Sequence, residues 1–207
     1  MNKKNVFAVG YPIGFSFVDD VEYYNIQVNE IVYPLNLLSA FIWMGALSGN
    51  KTKETLYESV IDDLESKGYV TGKDFTIDNL DDIYYQLLSA SLLIEVDENE
   101  DVEKFIDDYQ NLRLSRKGFG VGVDFDKISI YEDGKNIEVN PFEYYIWQVS
   151  AESRTIKETY LDYKNSVENS VSQLGGNVDE VMDNINRNFL KSIVGLYNHN
   201  LIYIVGN

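Results

Sequence analysis

Apolar and polar residues alternate along the first part of the chain. The alternation covers residues 5–18 and 21–32, and both segments are rich in Val, Ile, Phe and Tyr. Side chains along a strand point to opposite faces in turn, so this pattern predicts extended strands with one buried face.

After these strands the apolar spacing changes to three and four residues, which is typical of helices. Pro34 is expected to open the first helix, because proline is tolerated in a first turn. A second helix is predicted over 52–66, with Gly68 as a cap just beyond its end. A third helix begins near residue 78 and leads into a short strand at 92–96.

The second half of the chain repeats this order of elements. An Asp133-Gly134 turn between two alternating segments indicates a hairpin. The elements predicted for this half are strands near 119–125, 127–131, 136–139 and 201–205, and helices near 141–150, 155–174 and 177–197.

Short sequence matches between the two halves fall in the same order, which indicates an internal repeat. The matched pairs are Gly10–Phe17 with Gly118–Phe125, Trp43 with Trp147, Lys53–Thr55 with Lys157–Thr159, and Leu92–Val96 with Leu201–Val205. The chain has no other tryptophan, so the agreement of this pair is the most informative of the four.

Strands followed by three helices and a short closing strand form a winged-helix-like arrangement. We therefore predict an α+β fold built from two winged-helix-like units in tandem. The first unit is expected at residues 1–98 and the second at 113–207, joined by an acidic linker or helix at 99–112. The charges of that joining stretch are typical of a solvated face.

The composition indicates an ordered chain with a strongly acidic surface. Hydrophobic residues make up 44% and aromatic residues 14% of the 207 residues, more than a disordered acidic tail contains. Asp and Glu number 34 against 17 Lys and Arg, which gives a formal charge of −17. Such a field repels phosphate backbones, and the predicted third helix offers Asp81 and Asp82 where a DNA reader carries basic or amide side chains. Direct nucleic-acid binding is therefore not expected.

The cysteine count and the apolar runs indicate the compartment. A chain without cysteine fits a reducing environment, so we expect a cytoplasmic protein. No apolar run reaches the length of a membrane span, so no membrane association is expected.

We find no catalytic or cofactor signature in the sequence. Gly118, Gly120 and Gly122 approach a phosphate-binding loop, but the final spacing and the following helix are missing, so a strand bend is expected. His199 lies in a predicted turn without the convergent partners of a general base or a zinc ligand. Acidic pairs such as Asp62-Asp63 lack the alternating loop that wraps calcium. We therefore expect no enzymatic activity, no metal and no cofactor.

The order of motifs around the tryptophans resembles a known family. Strands are followed by Pro34–Trp43, a polar turn, Thr52–Thr55, and a third helix that runs into Leu87–Leu93. This order is similar to the small peptide-chaperone family of pyrroloquinoline quinone biosynthesis, which typifies the recognition element of ribosomal-peptide modification systems. The resemblance implies that the Ile-Trp pair packs in the core. It also implies that a leader peptide adds as a strand beside the third strand, against the third helix.

Adjacent tyrosines supply a second argument for binding. In pairs such as Tyr84-Tyr85 at least one ring must leave the core face, and exposed tyrosine is favoured at interfaces. We predict a non-enzymatic module that binds a protein or an extended peptide of basic character by β-augmentation, using strands near 27–32 and 136–139 and grooves beside the third helices. The predicted binding residues are Gln27, Val28, Val32, Tyr84, Tyr85, Ile137, Val139, Asn186 and Leu190.

Two alternative functions remain open at this stage. One is a winged-helix subunit of a chromosome or replication complex that acts through protein contacts. The other is an acidic mimic of DNA, such as a phage-type inhibitor, in which carboxylates occupy phosphate-like positions.

Overall fold

The computed structural model of the chain describes residues 4–49, 51–69, 77–124, 127–152, 154–173 and 178–206. Within these ranges the chain forms seven α-helices and ten strands, and the strands make four small sheets. The predicted α+β class is confirmed. The chain divides into two compact units, unit 1 at Met1–Val96 with Gly206 and unit 2 at Asp97–Val205 with Asn207.

Unit 1 begins with four strands, continues with three helices and ends with a fifth strand. Its elements are β1 (Asn5–Ala8), β2 (Tyr11–Val18), β3 (Val21–Val28), β4 (Ile31–Leu35), α1 (Leu37–Leu47), α2 (Lys53–Ser66), α3 (Ile77–Ser89) and β5 (Leu93–Val96). Strands β2, β3 and β4 form an antiparallel meander, and β1 pairs antiparallel with β5. The first and last strands of the unit therefore close on each other.

Unit 2 begins with an additional helix and then follows the same order. Its elements are α4 (Val102–Tyr109), β6 (Arg113–Arg116), β7 (Phe119–Asp124), β8 (Lys127–Glu132), β9 (Lys135–Val139), α5 (Pro141–Val149), a 3-10 helix (Ser150–Glu152), α6 (Ile156–Gln173), α7 (Val178–Asn198) and β10 (Ile202–Val205). Strands β7, β8 and β9 form the meander, and β6 pairs antiparallel with β10. The stretch predicted as an acidic linker at 99–112 contains α4, whose apolar side is buried in unit 2.

Two predictions about the start of unit 1 are wrong. The two alternating segments are each broken into two strands, at Val9-Gly10 and at Asn29-Glu30. Pro34 lies in β4, and α1 begins only after Asn36, whose side chain accepts a hydrogen bond from the Ser39 N–H at 2.9 Å. Asparagine is a strong N-cap, and a strand at a sheet edge tolerates proline because the missing N–H is not needed there.

The core of unit 1 lies between the inner face of the meander, the β1–β5 pair and the three helices. Its helices contribute apolar side chains at helical spacing, and each large side chain removed from water stabilises the fold by about 2 kcal/mol. The largest fully buried side chains of this unit are Trp43, Tyr84, Phe7, Ile26, Ile42, Leu56, Leu64 and Leu80.

Each tryptophan joins its helix to the backbone just before the meander. The Trp43 Nε1–H donates to the Val9 carbonyl at 3.0 Å, and the Trp147 Nε1–H donates to the Lys117 carbonyl at 2.7 Å. Both indole rings are buried. A buried donor and a buried acceptor each need a partner, so one bond satisfies both groups in each unit.

The turn from the third helix into the closing strand also has the same form in both units. Ser91 and Asn200 adopt left-handed φ angles of 56° and 58°. The following residues, Leu92 and Leu201, donate their N–H back to a helix carbonyl at 2.9 and 2.8 Å. Their own carbonyls accept, at 3.0 and 2.7 Å, the N–H of the residue that receives the tryptophan bond.

Helices α2 and α6 both begin at a capping threonine. The Thr52 side chain and Thr55 form a reciprocal capping box. The Thr155 Oγ1 accepts the Glu158 N–H at 3.2 Å, while the Glu158 carboxylate accepts the Thr155 N–H at 2.9 Å. These caps are 103 residues apart, whereas the Lys-Glu-Thr match has a separation of 104. The sequence match is therefore displaced by one residue from the structural equivalence.

Gly10 and Gly118 occupy equivalent positions at the start of each meander, and both positions require glycine. Their φ angles are 98° and 80°, a region that side chains disfavour. A Cβ atom on Gly10 would lie 2.6 Å from the Gln27 carbonyl oxygen, and one on Gly118 would lie 2.6 Å from that of Tyr131. The sequence match that begins at these glycines extends to residue 125, which lies outside the described residues.

We expect Gly10→Ala to lower the free energy of unfolding by about 2–4 kcal/mol, because a backbone clash adds to the strain of a left-handed side-chain residue. Gly134→Ala is the matched control, since its φ of 80° is also positive but no atom lies within 4 Å of the added Cβ. Its loss should be about 1 kcal/mol. Urea unfolding followed by tryptophan fluorescence measures both values, and equal losses would contradict the close backbone approach at Gly10.

Candidate functional site: an aromatic groove beneath the first hairpin

The β2–β3 hairpin carries two phenylalanines on its core-facing side. Directly opposed residues of antiparallel strands share a face, and Phe15 stands opposite Tyr24 while Phe17 stands opposite Glu22. Tyr24 contacts the buried Trp43, with ring centroids 6.2 Å apart. Both phenylalanines therefore lie on the side of the sheet against which the helices pack.

These two rings are nonetheless open to solvent. Phe15 is 65% exposed and Phe17 is 70% exposed, whereas Ile26, further along β3, is fully buried. The hairpin thus extends past the helices of unit 1, and in the described residues the inner face of its tip is uncovered. Single exposed apolar residues are ordinary, but adjacent aromatic rings on a core-facing side indicate a contact surface.

The space beneath the hairpin is a groove with aromatic walls, which we call the aromatic groove. Its volume is about 190 Å³. Four rings line it in two edge-to-face pairs, Phe15 with Tyr24 at 5.2 Å between centroids and Phe41 with Tyr69 at 6.0 Å. Edge-to-face contacts between aromatic rings are favourable, so each pair stabilises one part of the groove wall.

Aliphatic and charged side chains complete the lining. Leu37 and Met44 contribute from α1, and methionine adapts its shape to a bound side chain. Glu22 from β3 and Lys67 from the end of α2 supply one charge of each sign. The Lys67 Nζ lies 4.7 Å from the Phe41 ring centroid, where the ring face attracts it. The groove can therefore hold an apolar side chain flanked by polar ones.

The groove lies next to an exposed sheet edge. In the order β2–β3–β4, strands β2 and β4 are the edges. β2 has 8 residues and β4 has 5, and each contains one proline without an N–H group, Pro12 in β2 and Pro34 in β4. β2 therefore offers the longer row of main-chain groups to an added strand.

The predicted site residues on the meander of unit 1 fall on two different strands. Gln27 and Val28 lie on β3, the central strand, and Gln27 has Tyr11 on one side and Val32 on the other. A strand with both neighbours in place cannot accept a further strand, so the prediction of main-chain binding at Gln27 and Val28 is wrong. Val32 lies on the β4 edge and is exposed.

The predicted tyrosine pair on α3 divides between core and surface. Tyr84 is fully buried, and its hydroxyl donates to the Glu95 carboxylate at 2.8 Å. Its assignment to a groove lining is therefore wrong, because a side chain inside the core cannot meet a partner. Burial and the bond to Glu95 raise the pKa of Tyr84 well above the ordinary value. Tyr85 is 54% exposed and lies on the surface.

The predicted residues of unit 2 are also mixed. Ile137 and Val139 lie on β9, an edge strand of the second meander, although the Val139 side chain is buried. Asn186 is half-buried, and its side-chain oxygen accepts the Tyr160 hydroxyl at 2.8 Å. Leu190 is buried in the core, so its assignment to a groove is wrong.

Sequence reasoning did not identify the residues of the aromatic groove. Phe15 and Phe17 follow the alternation that predicts a buried strand face, so the pattern itself assigns them to the core. Only the length of the hairpin relative to the helices exposes them. Phe41 and Tyr69 come from separate helical regions, and the sequence carries no signal for their contact.

A second cluster, which we call the Lys53 cluster, joins α2 to α3. The Lys53 Nζ lies 2.6 Å from the Asp81 Oδ1, and the Tyr57 hydroxyl donates to the same oxygen at 2.7 Å. The ammonium also lies 4.5 Å from the Tyr85 ring centroid. A lysine in this environment is held by an ion pair and aromatic faces rather than by a catalytic partner.

The pKa values in this cluster favour the charged pair. Hydrogen bonds from Lys53 and Tyr57 lower the pKa of Asp81 below its ordinary value of 3.8. Burial by itself lowers the pKa of Lys53, but the bonds to Asp81 and Tyr85 raise it, and the net pKa is above 10.5. A lysine with a raised pKa is protonated at neutral pH and is not a nucleophile.

Among the described residues, no three His, Asp or Glu side chains come close enough to hold a metal ion. His199 is exposed in the turn that follows α7. Across the same part of the chain, every helix is too short or too polar to cross a membrane. Comparison with protein-family models, with curated proteins and with solved structures gave no match to this chain.

The lowered pKa of Asp81 predicts a pH dependence of stability. Its contribution to stability is complete above the unfolded value near 3.8 and is lost as the pH falls through the lower folded value. Asp81→Asn and Lys53→Met should each reduce the loss of stability between neutral pH and pH values below 3.8. Urea midpoints at several pH values measure this loss, and an unchanged acid sensitivity in both variants would contradict the assignment.

Proposed function

We propose that this chain is a non-enzymatic binding module built from two winged-helix-like units, and that unit 1 binds an extended segment of a partner protein at the aromatic groove. The observation that supports the proposal is the exposure of Phe15 and Phe17 on the core-facing side of the hairpin. A free protein keeps such rings open to water only at a cost, which binding removes.

The edge of β2 offers the backbone N–H and C=O groups with which an added strand forms hydrogen bonds. An added strand forms backbone hydrogen bonds that give affinity, while its alternate side chains enter neighbouring pockets and give specificity. β2 has both features, since it is an edge strand and Phe15 on it also lines the groove. A partner segment along β2 therefore points every second side chain towards the aromatic groove.

The charge of the hairpin favours a basic partner segment. Asp19 and Asp20 form the turn between β2 and β3, and Glu22 lies in the groove lining. These carboxylates add to a chain with a formal charge of −17. The attraction speeds the encounter with a positive segment and weakens with added salt.

The winged-helix-like assignment rests on the element order. Each unit combines an antiparallel meander with three helices, the order that prompted the resemblance to the peptide-chaperone family. In that family the peptide adds beside the third strand of the meander. Here that strand is β4, which is shorter than β2 and contributes no residue to the lining of the aromatic groove, so we assign binding to the β2 edge instead.

Selection of random linear peptides on the purified chain tests this function. We expect enriched peptides with apolar residues at alternate positions and a net positive charge. The double variant Phe15→Ser with Phe17→Ser should weaken their binding by about tenfold or more, because central aromatic contacts dominate such interfaces. Fluorescence anisotropy of a labelled peptide measures the change.

Phe119→Ser is the matched control for this experiment. Phe119 is 76% exposed, so it loses the same chemical group from an equally open site in unit 2. Exposed substitutions of this kind change stability by only about 0.5 kcal/mol, so folding should be preserved in all variants. Peptides that bind the double variant as tightly as the parent chain would rule out the aromatic groove as the site.

A further inference from the structure

Helix α4 covers part of unit 2. Its apolar side chains Val102, Phe105 and Ile106 are buried. The helix packs against both α6 and α7. Unit 2 therefore has a surface between its second and third helices to which a short amphipathic helix binds within the chain.

Contacts with α6 locate this surface. The Lys157 Nζ donates to the Gln110 side-chain oxygen at 3.4 Å, just after the end of the helix. Burial raises the pKa of the Tyr160 hydroxyl, and the carboxylates of Glu103, Glu168 and Asp101 raise it further. The helix therefore packs against the first turns of α6, which carry Lys157 and Tyr160.

Tyr160 and its partner Asn186 correspond to Tyr57 and Asp81 in unit 1. The Tyr160 hydroxyl donates to the Asn186 Oδ1 at 2.8 Å, and the Tyr57 hydroxyl donates to the Asp81 Oδ1 at 2.7 Å. Each tyrosine also meets an aromatic ring of the third helix edge to face, at 5.8 Å in unit 1 and 5.2 Å in unit 2. The same pair of contacts therefore marks the same place in both units.

In unit 1 this place is an open groove, which we call the α2–α3 groove. Its volume is about 390 Å³, and its lining consists of Lys53, Glu54, Tyr57, Glu58, Ile61 and Asp81. The described helices α1, α2 and α3 correspond in order to α5, α6 and α7. None of them takes the place of α4. The α2–α3 groove shares no lining residue with the aromatic groove.

The charges of the two units differ at this surface. Counted from the shared tyrosine, the position of Lys157 in unit 2 is occupied by Glu54 in unit 1. Glu58 and Asp81 add two further carboxylates to the groove lining, against the single ammonium group of Lys53. The lining is therefore net acidic, so it repels a helix whose polar side is acidic, as that of α4 is, and attracts a basic one.

We propose that the α2–α3 groove of unit 1 binds a short basic amphipathic helix of a partner protein. The apolar side of that helix contacts Tyr57 and Ile61, as the apolar side of α4 contacts α6 and α7. Its basic side chains pair with Glu54 and Glu58. The opposite charge distinguishes this partner from helix α4 of a second copy of the chain.

Two synthetic peptides test the proposal. Both cover residues 99–112, one unaltered and one with E100K, D107K and D108K, which keep the apolar side of α4 and reverse the charge of its polar side. We expect the basic peptide to bind the full-length chain and the unaltered peptide to bind at least about tenfold more weakly. Fluorescence anisotropy measures both dissociation constants, and circular dichroism checks that both peptides have the same helix content.

Variants of the chain locate the binding. Ile61→Lys should weaken the basic peptide by about tenfold or more, since it removes an apolar contact and adds a repelling charge. Leu161→Lys is the control in α6, where Leu161 is 45% exposed while Ile61 is half-buried against the core of unit 1, and it should leave binding unchanged. The double variant Glu54→Lys with Glu58→Lys should reverse the preference, so that the unaltered acidic peptide binds more tightly.

The outcomes separate this proposal from the function proposed for the aromatic groove. Binding of the basic peptide that survives the Phe15→Ser and Phe17→Ser changes but not Ile61→Lys supports the α2–α3 groove. Tighter binding of the unaltered peptide would identify α4 of a second copy as the occupant and overturn the proposal. The proposal would also be overturned if Leu161→Lys abolished binding while Ile61→Lys left it unchanged. The peptide would then be displacing α4 in unit 2.

Discussion

The bond between each tryptophan and a backbone carbonyl determines how the elements of its unit fit together. The indole of Trp43 fills the core and also fixes the position of Val9, the residue at which the chain passes from β1 into the meander. The N–H of Val9 is bonded in turn to Leu92, at the start of the closing strand. One residue thus connects the helices, the meander and the closing pair, so a change at this point is transmitted to all three.

The element order was accessible from the sequence because it follows from periodicity. The change from alternation to helical spacing predicts where the helices lie, and the two matched tryptophans make the same kind of bond to a backbone carbonyl. The boundaries were less accessible. Asn36 and Thr155 determine where helices begin through single side-chain bonds, and the neighbouring Pro34 and Lys-Glu-Thr signals led to incorrect starts. Local hydrogen bonds determine where a helix begins, and the spacing of apolar residues gives no information on those bonds.

The candidate site was largely inaccessible for a different reason. Alternation predicts which side chains of a strand share a face, and Phe15 and Phe17 do lie on the same side of the sheet. It does not state whether another element covers that face. The Tyr84-Tyr85 pair has a related difficulty. Adjacent tyrosines predict that one ring is exposed, but they do not indicate that Tyr84 is the buried one. Whether a side chain on that face is buried depends on how far the hairpin extends past the helices. This is a property of the assembled unit and not of any single element.

The closing strand pair determines where the polypeptide enters and leaves each unit. Because β1 pairs antiparallel with β5, and β6 with β10, the polypeptide enters and leaves each unit at neighbouring points on its surface. Domains whose ends meet in this way tolerate fusion and the addition of segments, since the new chain departs without crossing the core. Helix α4 illustrates this: it precedes β6 and packs onto unit 2, leaving the strand pairing of that unit the same as that of unit 1.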